Sequence, residues 1–183
     1  MQKPQRRAFF LDRDGVINAV VTREGQLTSP RTDEEFQILS NVPEAIRQMR
    51  SAGFLVIVVT NQPEIRRGLV ARETVDRFHS QIRSELAIDD IRVCYHDTED
   101  RCSCRKPEPG LLVASAKQWN IRLSQSFLVG DREKDIEAGR RAGCTTMLIR
   151  APYNQAASST RDFLVENLDH AVKIALQRTS SCP

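Results

Sequence analysis

The 183-residue sequence has no apolar run that approaches the ~20 residues of a transmembrane helix. Its first apolar run, residues 8–11, is shorter than the core of a secretory signal peptide. Internal repeats and low-complexity linkers are also missing. These absences predict a cytoplasmic protein without a membrane partner, folded as a single domain over residues 1–183.

The sequence has little excess charge of either sign. It contains 27 basic and 24 acidic residues, for a formal net charge of +3, and no long basic run. This balance argues against a nucleic-acid partner. Hydrophobic residues make up 40% of the chain, which suffices for one core. We expect a monomer, because no exposed apolar helix face stands out.

Short apolar runs alternate with segments of helical periodicity. The run at residues 54–59 is apolar on both faces, as expected of a central parallel strand that helices cover on both sides. Other strands are predicted at residues 8–11, 91–93, 126–129 and 145–149, and helices at residues 43–52, 72–86, 109–119, 132–142 and 161–176. The alternation predicts a three-layer, Rossmann-like α/β fold with a parallel sheet and helices on both faces.

Polar residues stand at the ends of several predicted strands. Asp12 and Asp14 follow the first strand, Thr60 follows the second, and Asp131 follows the fourth. Lys106 stands shortly before a predicted helix. Because ligands bind beyond the carboxyl ends of parallel strands, we expect these side chains to meet at one site.

These residue types suit the hydrolysis of a phosphate ester, which needs a nucleophile, a proton donor and positive charge on the phosphoryl group. Asp12 and Asp14 face the same way in an extended strand, so one can attack while the other shuttles a proton. The pair also suits Mg²⁺, completed by Asp131. Thr60 can hydrogen-bond a phosphoryl oxygen, and Lys106 can neutralise its charge.

Each motif taken alone also has a structural interpretation. An Asp-x-Asp-Gly sequence is common in turns, and a lysine before proline can lie on the surface. Gly130-Asp131 with Asp135 can be a helix N-terminus with Asp131 as its cap. The occurrence of all the motifs in this order, each at a strand end or helix start, favours the catalytic interpretation.

The ordered motifs resemble those of the haloacid dehalogenase superfamily. They read Asp12-Arg13-Asp14-Gly15, Thr60, Lys106, and Gly130-Asp131 with Asp135. The resemblance implies that Asp12 is the nucleophile and Asp14 the general acid and base. It also implies Mg²⁺ held by Asp12, by the backbone carbonyl of Asp14 and by Asp131, with Asp135 orienting the metal site. A capless enzyme is implied, because no large inserted domain interrupts the chain.

A narrower resemblance is to the D-glycero-D-manno-heptose 1,7-bisphosphate phosphatases, which have the histidinol-phosphate phosphatases as close relatives. It rests on residues 10–18, on Thr60-Asn61-Gln62, and on a Cys-His-Cys-Cys loop that runs into Arg105-Lys106-Pro107. It implies a small phosphorylated sugar as substrate, bound with the help of Asn61, Gln62 and Arg105. Histidinol phosphate or another small phosphomonoester remains an alternative substrate. A polynucleotide end-phosphatase and a non-catalytic, zinc-stabilised binding module are further alternatives.

Three of the five cysteines lie close to a histidine. Cys94 with His96 and Cys102 with Cys104 form two i,i+2 pairs, each able to project to one side of extended backbone. An odd cysteine count without a signal peptide argues against disulfides, although free thiols beside a surface histidine remain possible. Three thiolates and one imidazole predict a closed, structural Zn²⁺ site that orders the loop before Lys106.

A few other residues are expected to be structural. His79, on the helix predicted at residues 72–86, is expected to be a surface or packing histidine. Trp119 fits a core position at the end of its helix. Arg66 and Arg67 can help to hold a second phosphate, but a solvated pair is the favoured interpretation.

Overall fold

The computed structural model describes residues 4–154 and 161–180, so residues 1–3, 155–160 and 181–183 of the expected domain lie outside this description. The strands are β1 Ala8–Leu11, β2 Val21–Arg23, β3 Gln26–Thr28, β4 Leu55–Asn61, β5 Asp90–Cys94, β6 Phe127–Gly130, β7 Thr145–Ile149 and β8 Phe163–Val165. The α-helices are α1 Val42–Ser51, α2 Arg72–Glu85, α3 Gly110–Trp119, α4 Glu133–Ala142 and α5 Leu168–Ser180. No helix in these two segments has the length and apolar character needed to cross a bilayer.

Six strands form one parallel sheet in the order β5-β4-β1-β6-β7-β8. The chain builds one half of the sheet outward from β1 through β4 and β5. It then returns to the other side of β1 and builds the second half from β6. The adjacent ends of β1 and β6 therefore form the switch point at which α/β sheets bind ligands.

Two apolar layers cover the sheet, because successive residues of a strand face opposite sides. Phe9 and Leu11 of β1 pack in one layer with buried side chains of α1, α2 and α5. Ala8 and Phe10 pack in the other with side chains of α3 and α4. All seven residues of β4 are buried, as expected of a strand covered on both faces. The predicted three-layer, Rossmann-like α/β fold is confirmed.

A hairpin that the sequence analysis did not predict stands between β1 and α1. Its strands β2 and β3 pair only with each other, and Glu24 and Gly25 join them with φ angles of 50° and 75°. Two left-handed residues make the turn that matches the twist of a two-residue hairpin. Among the described residues, this hairpin is the only strand pair in the segment between β1 and α1, in agreement with the expected capless architecture.

The predicted helix at residues 161–176 is wrong in its first seven residues, 161–167. Residues 163–165 form β8 at the edge of the sheet, and α5 begins only at Leu168. The Asp162 carboxylate accepts hydrogen bonds from the backbone N–H and the hydroxyl of Thr146, and Arg150 N donates to the Val165 carbonyl. These contacts hold the segment extended against β7. The other predicted strands and helices agree with the structure to within about two residues.

Candidate active site

A cavity of about 250 Å³ opens at the carboxyl ends of the central strands. Asp12, Asp14 and Thr60 line it, as do hairpin residues of β3 and the loop after β4. Its lining also includes four basic side chains, Arg67, Arg105, Arg132 and Lys134. The excess of positive charge at the rim suits an anionic ligand.

Lys106 and Asp12 form a buried ion pair on this side of the sheet. The Lys106 Nζ lies 2.7 Å from Asp12 Oδ1 and 2.6 Å from Asp135 Oδ1, and it donates to the Val59 carbonyl at 2.8 Å. Burial acts to lower the pKa of Lys106, but the two carboxylates raise it above its usual value. The ammonium therefore stays charged beside Asp12, whose own pKa is raised by burial despite Lys106.

Three carboxylates converge at the switch point. Asp12, Asp131 and Asp135 each place an oxygen within 4.8 Å of the others. Asp131 Oδ1 is buried without a hydrogen-bond partner in residues 4–154 and 161–180. Burial and the charges of Asp12 and Asp135 raise the pKa of Asp131 to about 7. The three acids face Lys106 and a longer ion pair of 3.8 Å from Arg132 Nε to Asp131 Oδ2, so the cluster has an excess of negative charge and fits a hard, oxygen-binding cation such as Mg²⁺.

Two residues that follow β7 fix the position of Asp131, which follows β6, in this cluster. Tyr153 donates its hydroxyl hydrogen to Asp131 Oδ2 at 2.5 Å, and Asn154 Nδ2 donates to the Asp131 carbonyl at 2.8 Å. Neither residue was identified from the sequence, although both follow the end of β7 by a few residues. Helix α4 begins at Glu133 with Arg132 as its cap, so the interpretation of Asp131 as a helix cap is wrong.

Gly15 permits the close approach of Asp131 to the end of β1. Its φ is +85°, and a Cβ at this position would lie 2.4 Å from Asp131 Oδ2. An L side chain is disfavoured there by both the backbone conformation and the contact. The glycine of the Asp-x-Asp-Gly motif therefore has a local function in bringing the two ends together.

Asp14 faces the same cavity but lies outside the three-carboxylate cluster. Its two oxygens accept hydrogen bonds of 2.8–3.0 Å from Arg13, Asn18, Ser29 and Gln62. Burial alone would raise the pKa of Asp14, but the Arg13 guanidinium and these hydrogen bonds lower it below its usual value. The carboxylate is thus held in one orientation.

Arg13, the middle residue of the motif, points into the protein and is fully buried. His79 is also buried, and its Nε2 lies 3.3 Å from Arg13 Nη1. Burial and the Arg13 charge lower the pKa of His79 to about 4, so the ring is neutral at pH 7 and accepts from the guanidinium. His79, expected to be a surface or packing histidine, is a packing histidine, and its contact with Arg13 was not predicted.

The residues that follow β4 are linked to this network. Gln62 donates through Nε2 to Thr60 Oγ1 at 2.9 Å and to Asp14, and it is 1% exposed. Asn61 exchanges two hydrogen bonds of 3.1 Å with the backbone of Lys106. The structure therefore brings Thr60, Asn61 and Gln62 to the predicted site, where Thr60 keeps its own hydroxyl hydrogen available for a ligand.

The predicted zinc residues form a second cluster next to the cavity. The three sulfur atoms of Cys94, Cys102 and Cys104 lie 3.2–3.6 Å apart, and His96 Nδ1 lies 3.3 Å from Cys104 Sγ and 3.6 Å from Cys94 Sγ. Zn–S bonds of about 2.3 Å in a tetrahedron place two sulfurs about 3.8 Å apart, so the cluster has the dimensions of a zinc site. The sulfur separations exclude a disulfide in this structure.

Backbone and thiol hydrogen bonds tune one thiol of this cluster. Burial raises the pKa of Cys102, but hydrogen bonds from Cys104 and from the backbone of Arg105 outweigh it and lower the value to about 7. Thiolates are the form that binds zinc. Arg105, the predicted substrate-binding residue next to the cluster, donates to the His96 carbonyl at 2.9 Å and lines the cavity.

Arg66 and Arg67 are exposed to solvent, as the favoured interpretation expects, and each also forms an ion pair. Arg67 forms an ion pair with Asp97, with Nη2 2.8 Å from Oδ1, and Arg66 Nε lies 2.8 Å from Asp100 Oδ2. Both carboxylates belong to the loop between the two halves of the cysteine cluster. Two ion pairs therefore connect the loop after β4 to the cysteine loop.

Comparisons with known proteins identify the family of the chain. A family model described as HAD-hydrolase-like matches residues 103–171. The D-glycero-β-D-manno-heptose-1,7-bisphosphate 7-phosphatase of Rhodopseudomonas palustris is 37% identical over 76% of this chain and 81% of its own length. The chain belongs to the heptose-bisphosphate phosphatase family of the haloacid dehalogenase superfamily.

Other members of the heptose-bisphosphate phosphatase family align over most of the chain. A D-glycero-α-D-manno-heptose-1,7-bisphosphate 7-phosphatase from Photorhabdus laumondii is 30% identical over 91% of this chain and 94% of its own. The crystal structure of D,D-heptose 1,7-bisphosphate phosphatase from B. bronchiseptica, complexed with magnesium and phosphate, superimposes with a TM-score of 0.83 at 27% identity. That alignment covers 94% of this chain and 99% of the other.

Proposed function

We propose that the chain is a Mg²⁺-dependent phosphatase that removes the 7-phosphate of D-glycero-D-manno-heptose 1,7-bisphosphate. The observation that carries the proposal is the buried Asp12–Lys106 pair beside Asp131, with Asp12 lining a cavity that also has four basic side chains in its lining. The choice of substrate in this proposal rests on the names of the relatives, which are up to 37% identical to the chain.

In the proposed reaction, Asp12 attacks the phosphorus atom and forms an aspartyl phosphate. The bond from phosphorus to the sugar oxygen breaks, and Asp14, which has to be protonated in the substrate complex although its pKa is lowered in the free protein, gives its proton to that oxygen. Asp14 then takes a proton from water, which attacks the phosphorus and releases inorganic phosphate with Asp12 regenerated. Thr60 donates its hydroxyl hydrogen to a phosphoryl oxygen, and Lys106 neutralises negative charge beside Asp12.

The residues that would hold Mg²⁺ are Asp12, Asp131 and the backbone carbonyl of Asp14. The ion, when bound, neutralises charge on the phosphoryl oxygens and on the carboxylates. The unpartnered Asp131 oxygen supports this assignment. Asp135 forms an ion pair with Lys106 and accepts a hydrogen bond from the backbone N–H of Arg132, so we assign it to orienting the site.

The roles of the three predicted substrate-binding residues differ in this proposal. Asn61 positions the backbone of Lys106, and Gln62 positions Thr60 and Asp14, because these are their contacts. Arg105 lines the cavity and takes part in binding the substrate's anionic groups. We therefore expect the substrate to contact mainly the four basic side chains that line the cavity.

We also propose that Cys94, His96, Cys102 and Cys104 hold a structural Zn²⁺. All four positions of a tetrahedral ion would be filled by protein, which leaves none for a catalytic water. The proposal is supported by the separations of the four ligand atoms. The ion would fix the loop that carries Arg105 toward the cavity.

The test is phosphate release with Mg²⁺ from a panel of substrates. The panel holds both anomers of D-glycero-D-manno-heptose 1,7-bisphosphate, histidinol phosphate, fructose 1,6-bisphosphate and a 5′-phosphorylated oligonucleotide. We expect the highest kcat/KM for one heptose anomer and loss of release when EDTA replaces Mg²⁺. A higher value for histidinol phosphate would assign the alternative substrate, and no release from any member would favour the non-catalytic binding module.

A further inference from the structure

The guanidinium of Arg13 is directed at the carboxylate of its neighbour Asp14. Its Nε and Nη2 donate to Asp14 Oδ1 at 3.0 and 2.9 Å, and Nη2 also lies 3.0 Å from Asp14 Oδ2. The side chain of Arg13 is 0% exposed, against 14% for Asp14. An arginine that binds a phosphoryl group would have to face the cavity, whereas Arg13 lies behind Asp14 and does not line it.

A set of buried groups holds the plane of this guanidinium. Its carbon lies 5.8 Å from the ring centres of both Phe36 and Phe78, which are stacked on each other at 4.4 Å. Arg13 Nη1 donates a hydrogen bond to His79 Nε2, and Arg13 Nη2 donates one to Gln62 Oε1 at 2.9 Å. Because these partners come from distant segments, the orientation of Arg13 is fixed by the fold and not by its own rotamer preference.

We propose that Arg13 and His79 are positioning residues that hold the Asp14 carboxyl where it exchanges protons with the leaving oxygen. The proposal rests on the proposed function of Asp14. Without Arg13, the Asp14 carboxyl would keep only its hydrogen bonds from Asn18, Ser29 and Gln62 and would be held less firmly. A misplaced proton donor loses much of its effect. Neither residue touches the substrate, and His79 acts only through Arg13.

A purely structural role would have the same static contacts, so the test must separate the two. Departure of a sugar alcohol needs a proton, whereas departure of p-nitrophenol does not, because p-nitrophenolate is a stable anion. The kcat/KM value covers the steps through the departure of this group. A defect in positioning Asp14 therefore lowers kcat/KM for the heptose bisphosphate and spares that for p-nitrophenyl phosphate.

The first variant is Arg13→Lys, which keeps the positive charge but loses the paired Nε and Nη2 donors of the guanidinium. We expect kcat/KM to fall about 100-fold for the heptose bisphosphate and by no more than about threefold for p-nitrophenyl phosphate. Arg7→Lys is the matched control, since Arg7 lies at the other end of β1, 4.5 Å from the Phe54 ring centre. It should leave the ratio of the two values unchanged.

A second pair of variants tests the contribution of His79. His79→Phe removes the acceptor and keeps the ring, and His79→Gln keeps an acceptor. We expect the ratio of kcat/KM for the heptose bisphosphate to kcat/KM for p-nitrophenyl phosphate to fall about tenfold in His79→Phe and to recover in His79→Gln. This pair decides the question if Arg13→Lys does not fold, as judged by circular dichroism and thermal unfolding.

The outcomes distinguish this proposal from the proposed function. An equal loss with both substrates in folded Arg13→Lys, or an unchanged ratio in both His79 variants, would overturn the positioning role. Wild-type protein that releases no phosphate from either substrate would instead overturn the phosphatase function. A selective loss with the sugar substrate, and none in Arg7→Lys, supports the positioning role.

Discussion

Replacement of Asp131 by asparagine should stabilise the metal-free protein at alkaline pH. The asparagine side chain would keep an oxygen that accepts from Tyr153, so the substitution removes charge and little else. In the wild-type protein, burial and the charges of Asp12 and Asp135 raise the pKa of Asp131 to about 7, although Tyr153 and the Arg132 guanidinium at 3.8 Å act to lower it. The folded chain therefore holds a proton on Asp131 that the unfolded chain has already lost.

The size of the effect follows from proton linkage. Each unit by which the pKa of a group in the folded chain differs from its pKa in the unfolded chain changes the free energy of unfolding by about 1.4 kcal/mol. Asp131 titrates near 3.8 when unfolded and at about 7 when folded, so ionisation at this site costs on the order of 4 kcal/mol of stability. The cost is absent below pH 4, grows as pH rises, and is complete above pH 7.

The assay is urea unfolding of both proteins in EDTA at pH 5 and pH 8. Asp131→Asn should exceed the wild type in unfolding free energy by a few kcal/mol at pH 8 and by much less at pH 5. Added Mg²⁺ at 100 times its Kd should stabilise the wild type by about 2.7 kcal/mol, because it binds only the folded chain. The variant should gain far less from Mg²⁺.

Asp76→Asn is the control, because Asp76 is 54% exposed and pairs with Arg72 on the surface. Its stability should change little at either pH. The reasoning is refuted if Asp131→Asn is no more stable than the wild type at pH 8 without metal. Equal stabilisation of both proteins by Mg²⁺ would show that Asp131 does not bind the ion.

Asp12→Asn should reduce phosphate release by more than about a thousandfold, because it removes the proposed nucleophile, with zinc content and fold unchanged. Cys104→Ser should abolish zinc binding, measured by atomic absorption, and lower the unfolding temperature by about 2–4 °C for each kcal/mol lost. Gly15→Ala should cost about 1–3 kcal/mol in urea unfolding and weaken Mg²⁺ binding, because its Cβ enters the space of Asp131 at a positive φ.

Each of these three results has a clear contrary outcome. Near-normal release by Asp12→Asn would remove Asp12 as the nucleophile. Full zinc content in Cys104→Ser would mean that the cysteine cluster is not the zinc site, and Cys144→Ser, a buried thiol outside that cluster, is the matched control. Unchanged Mg²⁺ affinity in Gly15→Ala would show that the contact with Asp131 is unimportant for the metal.

The sheet and the ends of its central strands could be predicted from the sequence. Apolar runs such as residues 54–59 identify parallel strands, and the rule for α/β sheets then places Asp12, Thr60 and Asp131 together. The close spacing of Cys94, His96, Cys102 and Cys104 likewise predicted the second cluster. In both cases the information is local, or depends on a general property of the fold.

Features that depend on a particular long-range fit could not be predicted. The inward orientation of Arg13 depends on an aromatic pair contributed by Phe36 and Phe78, far apart in the chain. Strands of three residues, as in the hairpin and β8, are too short to show a periodicity. Tyr153 reaches Asp131 only because the chain turns back after β7.

The hairpin of β2 and β3 makes a wall of the cavity without joining the sheet that carries the reacting groups. Its backbone pairs are internal, and Ser29, just beyond it, contributes one hydrogen bond to Asp14. Mutations at its cavity-facing positions can therefore accumulate without altering the hydrogen bonds between the six sheet strands. Selection can therefore reshape this wall of the cavity while the strand ends that carry Asp12, Thr60 and Asp131 stay constant.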